Sequence, residues 1–81
     1  MARVSKKTDQ DEVLTRLGSC IRAIRQDHKL SQEALADAAG IDRSHMGKIE
    51  RGERNVSVLN IHRIAKALEI SITDLMEQSG I

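Results

Sequence analysis

Phenylalanine, tyrosine, tryptophan and proline are all absent from this chain of 81 residues. Without aromatic side chains there is no platform for unstacked bases, which argues against RNA-recognition and single-strand-binding folds. The core must then be built from Leu, Ile, Val, Met and Ala, within a hydrophobic content of 40%. One cysteine excludes a disulfide framework and a cysteine-based zinc site. With that cysteine and three separated histidines, metal chemistry has little to work with, so no metal or other cofactor is expected. The net charge is only +1, from 13 Lys plus Arg against 12 Asp plus Glu. Any nucleic-acid site must therefore come from local clustering rather than global charge. No apolar run approaches the roughly 18–20 residues that span a bilayer. The start Met1-Ala2-Arg3-Val4-Ser5-Lys6-Lys7 is not followed by the apolar stretch of a signal peptide. A cytoplasmic protein with no membrane partner is expected. A single domain of this size buries only about 60% of its unfolded surface, so a monomer is marginal and a dimer would help it.

What is present is helical periodicity. Residues 1–10 are polar and aperiodic and read as a flexible arm. Residues 1–12 carry three basic and three acidic side chains, which gives that arm no strong pull toward DNA. From residue 11 to 81 the pattern is that of one folded domain. Val13, Leu14, Leu17, Ile21 and Ile24 share one face of a first helix over about residues 11–28. Ser31 can cap a second helix from Gln32 to Ala39, closed by Gly40. Asp42 can cap a third over about Arg43–Arg51, with Met46 and Ile49 inward and Gly52 at its end. Ser57 can cap a fourth, whose apolar face is Val58, Ile61, Ile64, Ala65 and Leu68. A short fifth helix starts at Ser71 or Thr73 and contains Ile72, Leu75 and Met76. The expected class is all-α, with no strand.

The segment Gln32–Gly52, QEALADAAGIDRSHMGKIERG, is the informative one. Two short helices meet at a tight turn. Ala36 is small where the helices must cross, and Gly40 adopts positive φ without steric cost. Leu35, Ala39, Ile41, Met46 and Ile49 line the inside. This is the pattern of a helix-turn-helix, whose second helix enters the major groove. Arg43, Ser44 and His45 stand at the leading end of that helix, with Gly47 and Lys48 one turn on. Arg43, Ser44, His45 and Lys48 are the candidate base readers; an arginine on guanine is worth about 1–3 kcal/mol of discrimination. The glycine at 47 would let the helix approach DNA closely. Arg51, Arg54 and Asn55 follow as candidate phosphate ligands. Over Asp42–Asn55, four basic residues face three acidic ones, so what matters is which face each occupies. Cys20 reads as a partly buried small hydrophobe and His28 as a cap at the end of the first helix.

Residues 13–78 resemble the phage-repressor-like (XRE-type) helix-turn-helix family. The resemblance rests on LSQEALADAAGIDRSHMGKIERGERN and NIHRIAKALEISITDLM. The run IDRSHMGKIERGERNVS is most similar to controller proteins of restriction–modification systems. It also resembles small phage-type repressors and antitoxins that bind their own promoters. The family implies a five-helix lambda-repressor-like fold with the DNA-binding unit in helices 2 and 3. It implies that Gln32 contacts the DNA backbone and buttresses helix 3, adding to the anion site of a helix N-terminus. It implies an internal ion pair between Glu50 and Arg25, which answers why an acid at position 50 does not repel phosphates. It implies dimerisation through the last two helices, where Ile70, Ile72, Leu75 and Met76, with Ile81, are the candidate interface residues. Val56 stands where the family commonly has proline, which predicts a looser lead-in to helix 4. His62 stands where an apolar residue is common, which predicts a more exposed spot.

The expected function is therefore sequence-specific recognition of double-stranded DNA by a dimeric transcriptional regulator, with contact or exclusion of RNA polymerase as its output. The alternative is an antitoxin or adaptor that binds a protein through helices 4 and 5. An enzyme is not expected, because His28, His45 and His62 are dispersed and no nucleophile arrangement or phosphate-cradling glycine loop is visible.

Overall fold

In a computed structural model, Asp9 and residues 11–81 are described. These residues form five helices and no strand: α1 (Val13–Asp27), α2 (Gln32–Ala39), α3 (Arg43–Glu50), α4 (Val58–Ala67) and α5 (Ile72–Ser79). The expected flexible arm, residues 1–10, lies outside the described residues apart from Asp9. Asp9 is tied to the domain: its carboxylate accepts from the Val13 and Leu14 amides at 2.8 and 2.7 Å. Two of the orphan donors at the start of α1 are thereby satisfied.

The other four starts are capped as their sequences suggest. Ser31, Ser57 and Ser71 each accept from the amide three residues on, at 3.0–3.1 Å. Asp42 caps α3. The helix ends share one device as well. A residue in the left-handed region follows each helix, at Lys29, Gly40, Gly52, Glu69 and Gly80. The next amide then reaches back to the carbonyl five residues earlier: Leu30 to Arg25, Ile41 to Ala36, Glu53 to Lys48, Ile70 to Ala65 and Ile81 to Met76. This is the Schellman arrangement, in which an apolar residue after the left-handed one often packs back on the helix. Leu30, Ile41 and Ile70 do so here. Glu53 breaks the series by placing a carboxylate at that position.

α1 packs against α3 and α5, and α2 packs against α3 and α4. Ile21, Leu35, Met46, Ile49, Ile64, Leu68 and Leu75 are almost completely enclosed between them. Ala36 is buried where α2 crosses its neighbours, as its size requires. Three apolar positions differ from expectation. Val13 is exposed, because Leu14, Leu17, Ile21 and Ile24 centre the inward stripe of α1 further round. Val58 is 75% exposed, and Leu59 beside it 57%, because the inward face of α4 runs through Ile61, Ile64 and Ala65. Leu75 is fully enclosed by its own chain, so it belongs to the core and cannot serve the dimer interface expected of it. Ile70, Ile72 and Met76 are half-buried against the same core. His62 is exposed, in keeping with its polar character.

The closest approach is between α1 and α3. A Cβ on Gly18 would run into the backbone carbonyls of Ile49 and Glu50. Gly52, at φ 72°, presses against the backbone of Thr15, where a Cβ would lie 2.7 Å from the Thr15 Cα. Backbone cannot yield as a side-chain tip can. Gly18→Ala should therefore cost at least about 2 kcal/mol. For a domain of this size that corresponds to a fall in Tm of roughly 10 °C or more. Thermal unfolding followed by circular dichroism tests this, and an unchanged Tm would show that the crossing is looser than described.

Candidate nucleic-acid interface

α3 has one dry face and one wet stripe. Met46, Ile49 and Glu50 point inward. At roughly 100° per residue, Ser44, Lys48 and Arg51 fall on the opposite side. Arg43, Ser44, Gly47, Lys48 and Arg51, with Gln32 from the start of α2, line a shallow hollow of about 380 Å³. Three cationic groups and two polar ones thus converge on the outer edge of the helix-turn-helix. His45 lies outside this hollow on the flank next to Ile49 and is half-buried. Arg54, half-buried, and Asn55, exposed, also lie outside it, beyond the end of α3. The hollow therefore gathers Arg43, Ser44, Lys48, Gln32 and Arg51 among the expected DNA ligands, and not His45, Arg54 or Asn55.

The helix that carries this stripe is held by a buried charge. Glu50 is only 2% exposed at its side chain and Arg25 11%. Arg25 Nε donates to Glu50 Oε2 at 2.8 Å and Nη2 to Oε1 at 3.0 Å. Arg25 Nη1 donates to the Leu30 carbonyl at 2.9 Å. Gln32 Nε2 adds a donor to Glu50 Oε1 at 3.2 Å. One carboxylate thus ties α1, the α1–α2 turn, α2 and α3 together, and the forked guanidinium meets it in two parallel bonds. Gln32 thus spends one of its two amide N–H donors inside the protein. Its second N–H remains for an anion, beside the first backbone amides of α2, which have no acceptor within the helix.

Gly47 also serves the fold. It is buried, and a Cβ there would lie 3.2 Å from both Gln32 Oε1 and Arg51 Nη1. Its missing side chain makes room for these two side chains to cross the helix. At the leading end of α3, Asp42 accepts from the Ser44 amide at 3.1 Å, the Ser44 hydroxyl at 2.5 Å and the His45 amide at 3.4 Å. The Ser44 hydroxyl, first, and these amides hold the Asp42 carboxyl below its ordinary value. Ser44 spends its proton on the cap, so it offers lone pairs to the hollow. Arg51 Nε donates to both oxygens of Glu53, at 3.0 and 2.8 Å. Cys20 is half-buried and its thiol faces the Leu75 carbonyl, while His28 Nδ1 sits 3.0 Å from the Ile24 carbonyl. Among the described residues no group of three or more His, Cys, Asp or Glu is placed to hold a metal ion. No helix among them is long and apolar enough to cross a membrane.

A capped recognition helix, a glycine turn and a cationic hollow on one edge define a helix-turn-helix regulator of transcription. A family profile described as "Helix-turn-helix" matches residues 21–75. The control protein C.SmaI of Serratia marcescens is 38% identical over 65 residues, covering 80% of this chain and 77% of that protein. The structure of the restriction–modification controller protein C.AhdI from Aeromonas hydrophila matches with a TM-score of 0.75 and 47% identity, covering 76% of this chain and 94% of that one. The controller protein C.Esp1396I, solved as a tetramer with its natural 35 base-pair operator, matches with a TM-score of 0.77 and 31% identity, covering 83% of this chain and 88% of that one. The chain belongs to the helix-turn-helix family, in the branch that contains the restriction–modification controller proteins.

Two predictions follow from the supports of α3. Arg25→Ala strands a buried carboxylate and should cost about 3–5 kcal/mol in urea denaturation. Arg25→Lys, a point charge without the fork, should recover only part of this. A loss below about 1 kcal/mol would mean that the pair behaves as a solvated one. For Asp42 the native state favours the charged carboxylate, so its stabilisation is complete above the ordinary carboxylate value. It is lost as pH falls through the lowered folded-state value. The stability gap between wild type and Asp42→Ala should be present at neutral pH and close on acidification; a gap that is independent of pH would rule out the charged cap.

Proposed function

We propose that the protein is a sequence-specific, double-stranded-DNA-binding transcriptional regulator of the controller type, acting as a homodimer on a two-fold operator in the cytoplasm. The observation that carries this is the convergence of Arg43, Ser44, Lys48 and Arg51 on one hollow along a helix fixed by a buried ion pair. A rigid helix offering cations and hydrogen-bonding groups along one edge fits a major groove, which is about 12 Å wide. Arg43 and Lys48 suit guanine edges, and Ser44 presents an acceptor to an exocyclic amine. The N-terminus of α2 and Arg51 suit the flanking phosphates, which set the register. Arg54, Asn55 and His45 would come into play at the rim of this contact.

One such helix reads only a few base pairs, so two copies on half-sites about 34 Å apart are needed for specificity. The surface offered for pairing combines the half-buried Ile70, Ile72 and Met76 with the exposed Val58 and Leu59. Output would come from contact with RNA polymerase or its exclusion, at a promoter of restriction–modification genes. The role assigned is binding, not catalysis. The alternative of an adaptor working through α4 and α5 draws no support from the relatives described above.

Selection from a random duplex library at fixed salt tests the reading, since affinity without salt is uninterpretable. A two-fold motif with half-sites about one helical turn apart is expected, and Arg43→Ala should lose discrimination at one position of each half-site. Enrichment of no motif, with salt-sensitive general binding only, would overturn it. For the dimer, Leu59→Glu should shift sedimentation toward monomer and weaken operator binding at least tenfold; an unshifted dimer would move the interface elsewhere.

A further inference from the structure

We infer that Glu53 sets the strength of DNA binding: its carboxylate competes with DNA phosphate for Arg51, and so weakens binding to the operator as well as to other duplexes. This rests on the DNA-binding reading above. Glu53 is the one charged residue among the five that follow the left-handed helix terminators; the others are Leu30, Ile41, Ile70 and Ile81. Its backbone is placed by the fold. The Glu53 amide donates to the Lys48 carbonyl at 2.9 Å, and the preceding Gly52 is pinned against Thr15 of α1. The side chain therefore projects from a fixed point and meets Arg51 Nε with both oxygens. Arg51 is 58% exposed and Glu53 37%, so the pair is wet and readily exchanged. Its guanidinium lies over Gly47 in the hollow where phosphates and base edges would dock. A phosphate must therefore displace a carboxylate to win Arg51. On random sequence, where α3 sits out of register, the carboxylate keeps it. On the operator, base contacts fix α3 against the groove and bring a phosphate close enough to take it.

Each phosphate contact contributes about 0.9 to the slope of log affinity against log salt, which amounts to about eightfold in affinity at 0.1 M salt relative to 1 M. Glu53→Gln should thus tighten binding to a random-sequence 20 base-pair duplex about three- to eightfold at 0.1 M salt, and steepen its salt slope by about 0.9. The wild type must break the same pair on its operator, so binding to the selected operator should tighten by at least as much, with little change in its salt slope because Arg51 already meets a phosphate there. Fluorescence anisotropy at several salt concentrations reads all of these, and an unchanged Tm controls for folding. Loss of any negative charge raises affinity for DNA, so the deciding measurement is the same change in an Arg51→Ala background. There the gain should shrink to the general effect of removing one negative charge, well below the gain seen with Arg51 present. A gain as large without Arg51 as with it, or no gain in its presence, would overturn the proposal. Failure of the wild-type protein to bind either duplex would instead overturn the DNA-binding reading itself.

Discussion

A carboxylate sealed between helices has to be neutralised, and much of this small protein is arranged around doing so. Glu50 sits on the inward face of α3, at the level where α1 and α3 press closest. Arg25 reaches it from α1 with two parallel bonds and spends its remaining nitrogen on the turn that launches α2. Gln32 adds its amide from the first turn of α2. Because the charge cannot be left alone, all four segments are bound to one geometry. The outward stripe of α3 is the geometric complement of this inward anchor. Its rotation about its own axis, and so which side chains face a groove, is set by where Glu50 must point.

That anchor works because the chain has kept its volume small nearby. Gly18 and Gly52 let backbone meet backbone, and Gly47 lets Gln32 and Arg51 cross over α3. A mid-helix glycine ordinarily costs up to about 1 kcal/mol. Gly18 bears that cost to bring α1 close enough for Arg25 to reach. With no aromatic ring to fill wide gaps, a core of Leu, Ile, Met and Ala needs such close approaches to stay dense. Three of the Schellman ends serve the same purpose, since Leu30, Ile41 and Ile70 fold their connections back onto the core.

The helix-turn-helix was legible because its determinants are local. Ser31, Gly40 and Asp42 mark its boundaries, and α2 spans the residues that its cap and terminator imply. The crossing of α1 with α3 was not legible, because it depends on which glycine meets which carbonyl across about thirty residues of chain. Gly18 stands among apolar positions of α1 and gave that signal, unexploited. Periodicity placed a stripe on each helix but not its centre. Val13 and Val58 therefore came out exposed, while Leu75, read as interface, came out as core. The Arg25–Glu50 pairing entered only through resemblance, since no spacing rule connects positions that far apart. Asp9 escaped attention because a capping carboxylate four residues ahead of the helix looks like any polar tail.

The charge pattern shows how much facing matters. Four basic residues against three acidic ones over Asp42–Asn55 suggests a nearly neutral surface. The structure gives each acid an assignment. Glu50 is turned inward and matched by Arg25 from another helix, so it takes nothing from the outward field. Asp42 is occupied by the first donors of α3, where a negative charge also suits the helix dipole. Glu53 alone lies on the outer face, and it lies on Arg51. Arg43 and Lys48 therefore stand on the outer edge with little acidic opposition, although the whole chain is close to neutral. A regulator with a strong global positive charge would bind any duplex tightly and lose its operator among competing sites. Near-neutrality with an oriented cationic edge keeps that general attraction small and leaves base contacts to decide where the protein stays.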